Sequence, residues 1–228
     1  IHLAKSNKKV LLITIDPSMR LKEVMGLTSE HAGVVTSVDF SNDENQASID
    51  VLLFSPSATM AKLIPDGPSK NLVEKNRILK TLTKPFGGMS EILSILELHI
   101  SMQEDQHDVY ILDTPPGGHF IDFLKAGSRI DNFFAKSFVE IFKFLQLNTE
   151  ADEKKKNTGI LKKIIGSGIK KLLEYLRSVT GAHFVEEFIE AVHILYSNRE
   201  YFLNSNQIQK ILTSPETANW FLAVSVDQ

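Results

Sequence analysis

The 228 residues contain no cysteine. Disulfides and thiolate metal sites are therefore excluded within them, and the absence suits a reducing compartment, so a cytoplasmic location is expected. No apolar run approaches the roughly 18 residues that a membrane-spanning helix needs. The opening IHLAKSNKK lacks the pattern of a signal peptide. It reads as the last turns of a helix begun further upstream, and with no initiating Met the chain is expected to be cut at both ends. Charge is not skewed either: the net value is −3 and the pI near 6.2, so no nucleic-acid footprint is present. Internal repeats are missing. So is any Gly-x-x-x-x-Gly-Lys-Ser/Thr phosphate loop.

What is present is an ordinary globular composition, 43% hydrophobic and 23% charged, with length for one large domain or two small ones. KKVLLITIDP is a short apolar run ending in Asp-Pro, the pattern of a strand buried on both faces. Leu21, Val24 and Met25 then recur at helical spacing, closed by Gly26. VVTSVDF alternates weakly and is expected at a sheet edge, followed by a polar loop at SNDENQAS. IDVLLF is a second buried strand, residues from about 57 to 104 are helical with breaks at PDGP and KPFGGM, and DVYILD is the next strand. A further β signal appears only at NWFLAVSV, residues 219–226. Strands alternating with helices argue for an α/β fold with a parallel sheet flanked by helices. The long helical stretch before NWFLAVSV is too large for one crossover and is expected to be an all-helical insertion. The expected division is an α/β core of 1–125 and 212–228 with a helical subdomain of 126–211.

Two strands end in aspartate, ITID at Asp16 and YILD at Asp113, and ligands of open α/β sheets bind beyond the carboxyl ends of the strands. Either aspartate alone could be a cap for the next helix. Two of them, each soon followed by proline, favour a shared site. After Asp113 the chain reads TPPGGHF. Pro115 and Pro116 fix φ and remove donors, whereas Gly117 and Gly118 permit close backbone approach to an anion. A carboxylate, a glycine turn and a helix beginning at His119 suit Mg²⁺ and a phosphate. A simple turn is the other reading of the same residues.

DTPPGGH resembles the switch II motif of the ArsA-type anion-transporting ATPases, a deviant P-loop family that includes the tail-anchored-protein targeting ATPases. TIDPSMRLKEVMGL resembles the switch I of that family. KNRILKTLTKPFGGMSEILSILELH is similar to a segment of its bacterial members, and SPETANWFLAVSV to the strand that leads into a Thr/Pro-Glu turn. The resemblance implies a P-loop NTPase-like fold, with the helical insertion between switch II and the next strand. It implies ATP hydrolysis with Mg²⁺, coupled to opening and closing of a homodimer. Position by position, Asp16 would align the attacking water and Asp113 would bind Mg²⁺ through water. Gly117 and Gly118 would lie against the γ-phosphate, His119 would relay nucleotide state, and Pro17 would shape the switch I turn. Met19 and Arg20 depart from the His-Ser that many members carry there. Because the phosphate loop is not among the 228 residues, this chain alone is expected to bind ATP poorly and to lack ATPase activity. With no cysteine for arsenite or for a dimer zinc site, a metalloid pump is not expected.

SRIDNFFAKSFVEIFKFLQL and GILKKIIGSGIKKLLEYLRSV each carry a wide apolar face. They either pack on each other and on the sheet, or form a mobile surface for a hydrophobic helix or membrane-protein client. Gly166-Ser167-Gly168 would permit a hinge in the second. His183 and Glu187 stand at i, i+4 as a conceivable ligand pair, but exposed surface charge explains them more cheaply. His107 and Asp108 close a turn, and Asn76 and Arg77 could reach toward a nucleotide cleft. Two other functions stay open: a non-catalytic binding or scaffold module on the same fold, and a ParA/MinD-like partitioning ATPase. The latter lacks an insertion of this size.

Overall fold

A computed structural model describes residues 2–15, 19–42, 45–64, 69–84, 89–114, 121, 123–134 and 160–222. In chain order the elements are α1 (His2–Lys5), β1 (Val10–Thr14), α2 (Met19–Met25), a 3-10 turn (Ser29–His31), β2 (Val35–Asn42) and β3 (Asn45–Leu53). They continue with α3 (Pro56–Lys62), α4 (Ser69–Lys75), α5 (Arg77–Leu82), α6 (Ser90–Gln103) and β4 (Val109–Asp113). The remainder is helical: α7 (Ala126–Phe133), α8 (Ile160–Thr180), α9 (Ala182–Ser197) and α10 (Arg199–Thr213).

The sheet has four strands in the order β2-β3-β1-β4. β3, β1 and β4 are parallel, as their apolar runs predict, with Leu12 opposite both Val51 and Ile111. β2 departs from the expected parallel sheet: it runs antiparallel to β3, pairing Val35 with Leu52 and Asn42 with Asn45. Only positions 43 and 44 separate the two strands, far too few for the crossover of a dozen residues that parallel pairing requires. Most of the polar stretch SNDENQAS, expected as a loop, is thereby strand. An edge hairpin can pair its backbone without apolar side chains, so a polar stretch can still be strand.

β1 is buried as expected, whereas β4 is only half-buried, with Ile111 and Asp113 exposed. Among the described residues β4 pairs with β1 alone, so its far edge is uncovered. NWFLAVSV also departs from its expected form. Residues 219–222 are not in a strand, and the indole of Trp220 donates to the Leu212 carbonyl at 3.0 Å. Phe221 and Leu222 are exposed. Residues 223–226 lie outside the described residues.

Alternation along the strands divides the core. Val10, Ile49, Val51 and Leu53 face one way, packed with Leu27 and by Ala4 of α1 and Met25 of α2. Leu11, Ile13 and Leu52 face the other way, onto Met60 of α3, Leu79 of α5 and Leu93 and Leu96 of α6. That second cluster does not stop at residue 125. It runs on through Ala126, Ile130 and Phe134, then Ala191, Ile194, Leu195, Phe202, Ile208 and Leu212. α7, α9 and α10 therefore extend this cluster, while α8 and α9 share a smaller one around Val192. α8 runs unbroken through Gly166-Ser167-Gly168. It packs on α9 through Leu173, against Phe188, Ile189 and Val192, and leaves Leu172, Tyr175 and Val179 exposed.

Candidate functional site at the strand ends

Parallel strands in register bring residues of equal rank to the same end and the same face of a sheet. Thr14 is paired with Asp113 on one side and Leu53 on the other, so β1, β3 and β4 end together. The ends are tied across. The Ile15 amide donates to the Asp113 carbonyl at 2.9 Å, and the Phe54 amide to the Thr14 carbonyl at 3.0 Å. Beyond β3, Ser55 caps α3 by accepting from the Ala58 amide, which sets that helix N-terminus at the same end of the sheet.

Thr14 is fully buried, and its hydroxyl donates to Oδ2 of Asp113 at 3.1 Å. Asp113 itself is exposed, and among the described residues its Oδ1 has no hydrogen-bond partner. An exposed carboxylate oxygen is the hard donor that Mg²⁺ takes, directly or through water. No group of three or more His, Asp or Glu side chains among the described residues could hold a metal alone. Asp113 has the donor chemistry to take such a cation.

Asp16, Pro17, Gly117, Gly118 and His119 lie outside the described residues. Of the residues singled out in the sequence for this site, Asp113 is the one whose surroundings are defined. Thr14 was missed. Its only sequence signal is a hydroxyl inside an otherwise apolar strand, two positions before Asp16.

Other polar residues are committed elsewhere. Asn76 does not reach toward the strand ends. It is buried, its Oδ1 accepts from the Ile78 and Leu79 amides to cap α5, and its Nδ2 donates to the Glu187 carbonyl and to Glu190 Oε2, both at 2.8 Å. Arg77 faces Glu187 at 3.8 Å. Glu97, buried in α6, accepts from Thr59 at 2.7 Å and pairs with Lys62, fastening α3 to α6. His183 stands near Glu186 and Glu187 at 3.8 and 3.5 Å, largely exposed.

At the opposite end of the sheet, His107 Nε2 lies 2.8 Å from Asp50 Oδ2, and Ser37 donates to Asp50 Oδ1. Burial alone would raise the Asp50 pKa, but the bonds from Ser37 and His107, with the His107 charge, outweigh it and hold the carboxyl below the usual range. Asp108 Oδ2 accepts from the Lys9 amide. The turn that seemed only to close before β4 thus fastens the hairpin and β1 together. Burial also pushes His99 down and Tyr110 up, the latter helped by Asp105.

The anion-transporting ATPase profile matches residues 1–215, nearly the whole chain. The chain belongs to this family. As an anion-transporting ATPase family member it has the P-loop NTPase-like α/β fold, with its mixed sheet flanked by helices. It is similar to the ATPase get3 of Aspergillus terreus, 29% identical over 140 residues that cover 60% of this chain and 39% of that protein. The ATPase GET3 of Kluyveromyces lactis is 30% identical over 142 residues, 59% of this chain and 40% of that protein. These matches span about two fifths of the length of each relative. No described helix of this family member is long and apolar enough to cross a membrane.

Proposed function

We propose that the protein containing this chain hydrolyses ATP with Mg²⁺ and uses the nucleotide state to move its helical region. The observation that carries the reading is Asp113, a solvent-facing carboxylate at the shared end of three parallel strands, directly beside the end of β1. In this proposal Asp113 holds the metal through water, and Asp16, two residues beyond Thr14, aligns the attacking water. Gly117 and Gly118 meet the γ-phosphate, His119 relays its presence and Pro17 shapes the turn after Asp16. The bound Mg²⁺ supplies charge neutralisation for the transferred phosphoryl group.

The division into a core of 1–125 and 212–228 and a helical subdomain of 126–211 belongs to the same proposal. The continuous apolar cluster from β1 to Leu212 supports mechanical coupling between the two parts, since packed elements shift as units. The exposed Leu172, Tyr175 and Val179 on α8 support a hydrophobic helix or membrane-protein client. Action as a homodimer in the cytoplasm completes the reading.

The test is turnover by the full-length protein. Asp16→Asn should abolish hydrolysis while ATP binding persists, and unchanged turnover removes Asp16 from its role. The 228-residue chain alone, which contains no Gly-Lys-Ser/Thr loop, should not turn ATP over. Robust hydrolysis by that chain counts against the assignment of the phosphate cradle to a separate loop.

A further inference from the structure

The geometry points to Thr14 as a positioning residue for Asp113, an inference that rests on Asp113 being the metal-side carboxylate. Thr14 has no solvent exposure, and it ends a strand that is otherwise Val, Leu and Ile. A buried hydroxyl needs a partner. This one finds it in the side chain of its in-register neighbour, 99 residues away in sequence.

The consequence is an asymmetry between the two oxygens of Asp113. Thr14 offers one proton, which Oδ2 receives, so the carboxylate plane is turned by a group that cannot move. Thr is β-branched and stiff at χ1, and its backbone is fixed on both sides by ladder pairing. Among the described residues Oδ1 has no hydrogen-bond partner, and it is the oxygen offered to the metal's water. At 3.1 Å the contact is longer than the 2.5–2.7 Å of a tight hydroxyl–carboxylate bond. It orients the carboxylate without quenching its ability to accept further bonds.

The same contact joins the two strands whose ends carry Asp16 and Asp113. With the Ile15 amide on the Asp113 carbonyl, the end of β1 is held to β4 through backbone and side chain at once. Valine at position 14 would keep the shape and the burial but leave the carboxylate free to rotate. Loss of a partner that orients a direct metal ligand weakens metal affinity by about 10–100-fold, and Thr14, one shell further out, acts at the lower end of that range.

The experiment uses the full-length protein with Thr14→Val, Thr14→Ser and Asp113→Asn. Binding of Mn²⁺ in the presence of ADP is followed by electron paramagnetic resonance, and ATP turnover is titrated with Mg²⁺. Thr14→Val should weaken Mn²⁺ binding and raise half-saturating Mg²⁺ by about 10-fold. Its turnover at saturating Mg²⁺ should stay near the native value, and its Tm should move by no more than about 3 °C. Thr14→Ser, which keeps the hydroxyl, should recover most of the affinity. Native Mn²⁺ affinity in Thr14→Val, while Asp113→Asn loses it, overturns the role of Thr14 and leaves that of Asp113 standing. Equal loss in the Val and Ser variants also overturns it, because the hydroxyl is then not the cause. Native affinity in Asp113→Asn removes the premise itself.

Discussion

Asn76 Nδ2 lies 2.8 Å from Glu190 Oε2, 114 residues away, while the Oδ1 of the same amide caps α5. One side chain thus ends the gap between α4 and α5, starts the next helix and holds α9 against it. The helical region is joined to the α/β layer by a polar fastening as well as by apolar packing.

Asn76→Ala should therefore destabilise the protein by about 2–4 kcal/mol, combining a lost cap with buried partners left unsatisfied. Asn76→Asp retains the cap acceptor but sets a carboxylate against Glu190. At pH 7 it should cost at least as much as alanine, although the cap survives. Urea denaturation of the three proteins measures this, and a near-native Asp variant would show that the cap alone matters.

Gly33 adopts φ +80°, and a Cβ there would stand 2.2 Å from the Ala58 Cβ on α3. Both the left-handed backbone and the close approach exclude a side chain. Gly33→Ala should cost about 2–4 kcal/mol from strain and overpacking together. Adding Ala58→Gly removes the clash and leaves the strain. The double variant should then be less destabilised than the two single losses combined, by about 1–2 kcal/mol in a double-mutant cycle. Strict additivity would contradict the contact.

Gly168 presents the opposite case, a glycine within α8 with nothing within 4 Å of an added Cβ. Its replacement by alanine should stabilise α8 by about 0.5–1 kcal/mol, the usual cost of glycine in a helix interior. Slower hydrogen exchange of the α8 amides is the expected signature, and unaltered protection would argue that α8 is not limited by its own helix propensity.

The Asp50 carboxyl titrates lower in the fold than its ordinary value of 3.8. The unfolded chain then binds more protons in acid, so stability contributed by Asp50 is present above about pH 4 and falls as pH drops through the folded value. His107→Ala removes the side chain that lies 2.8 Å from Asp50 Oδ2 and helps hold its carboxyl low. It should lower stability at pH 7 and flatten the loss between about pH 5 and 2. Parallel denaturation curves for variant and native protein across that range would refute the coupling.

Much of this architecture was legible because its causes are local. VLLIT and IDVLLF are apolar runs too short for helices, and they form β1 and β3. Gly26 closes α2 with φ +65°, as its position after the helical pattern predicts. The breaks at PDGP and KPFGGM fall between helices. The Asp-Pro and Asp-Thr-Pro-Pro-Gly-Gly motifs marked the family without any coordinates, because the residues that control a turn are adjacent in the chain. Strand direction was less accessible: β2 is antiparallel because its link to β3 is two residues long, and the polarity around that link concealed where the strands stopped. Residues 219–222 show the converse, since apolar composition alone does not make them a strand, and Trp220 turns back onto Leu212 instead.

The sequence by itself determined the strand and helix segments, their punctuation and the aspartate at the end of β4. Only the tertiary structure decided which distant groups met: Thr14 with Asp113, Asn76 with Glu190, Asp50 with His107. The physical reason is separation along the chain. Hydrophobic period and turn chemistry act over a few residues, whereas a hydrogen bond acts over about 3 Å of space and is indifferent to sequence distance.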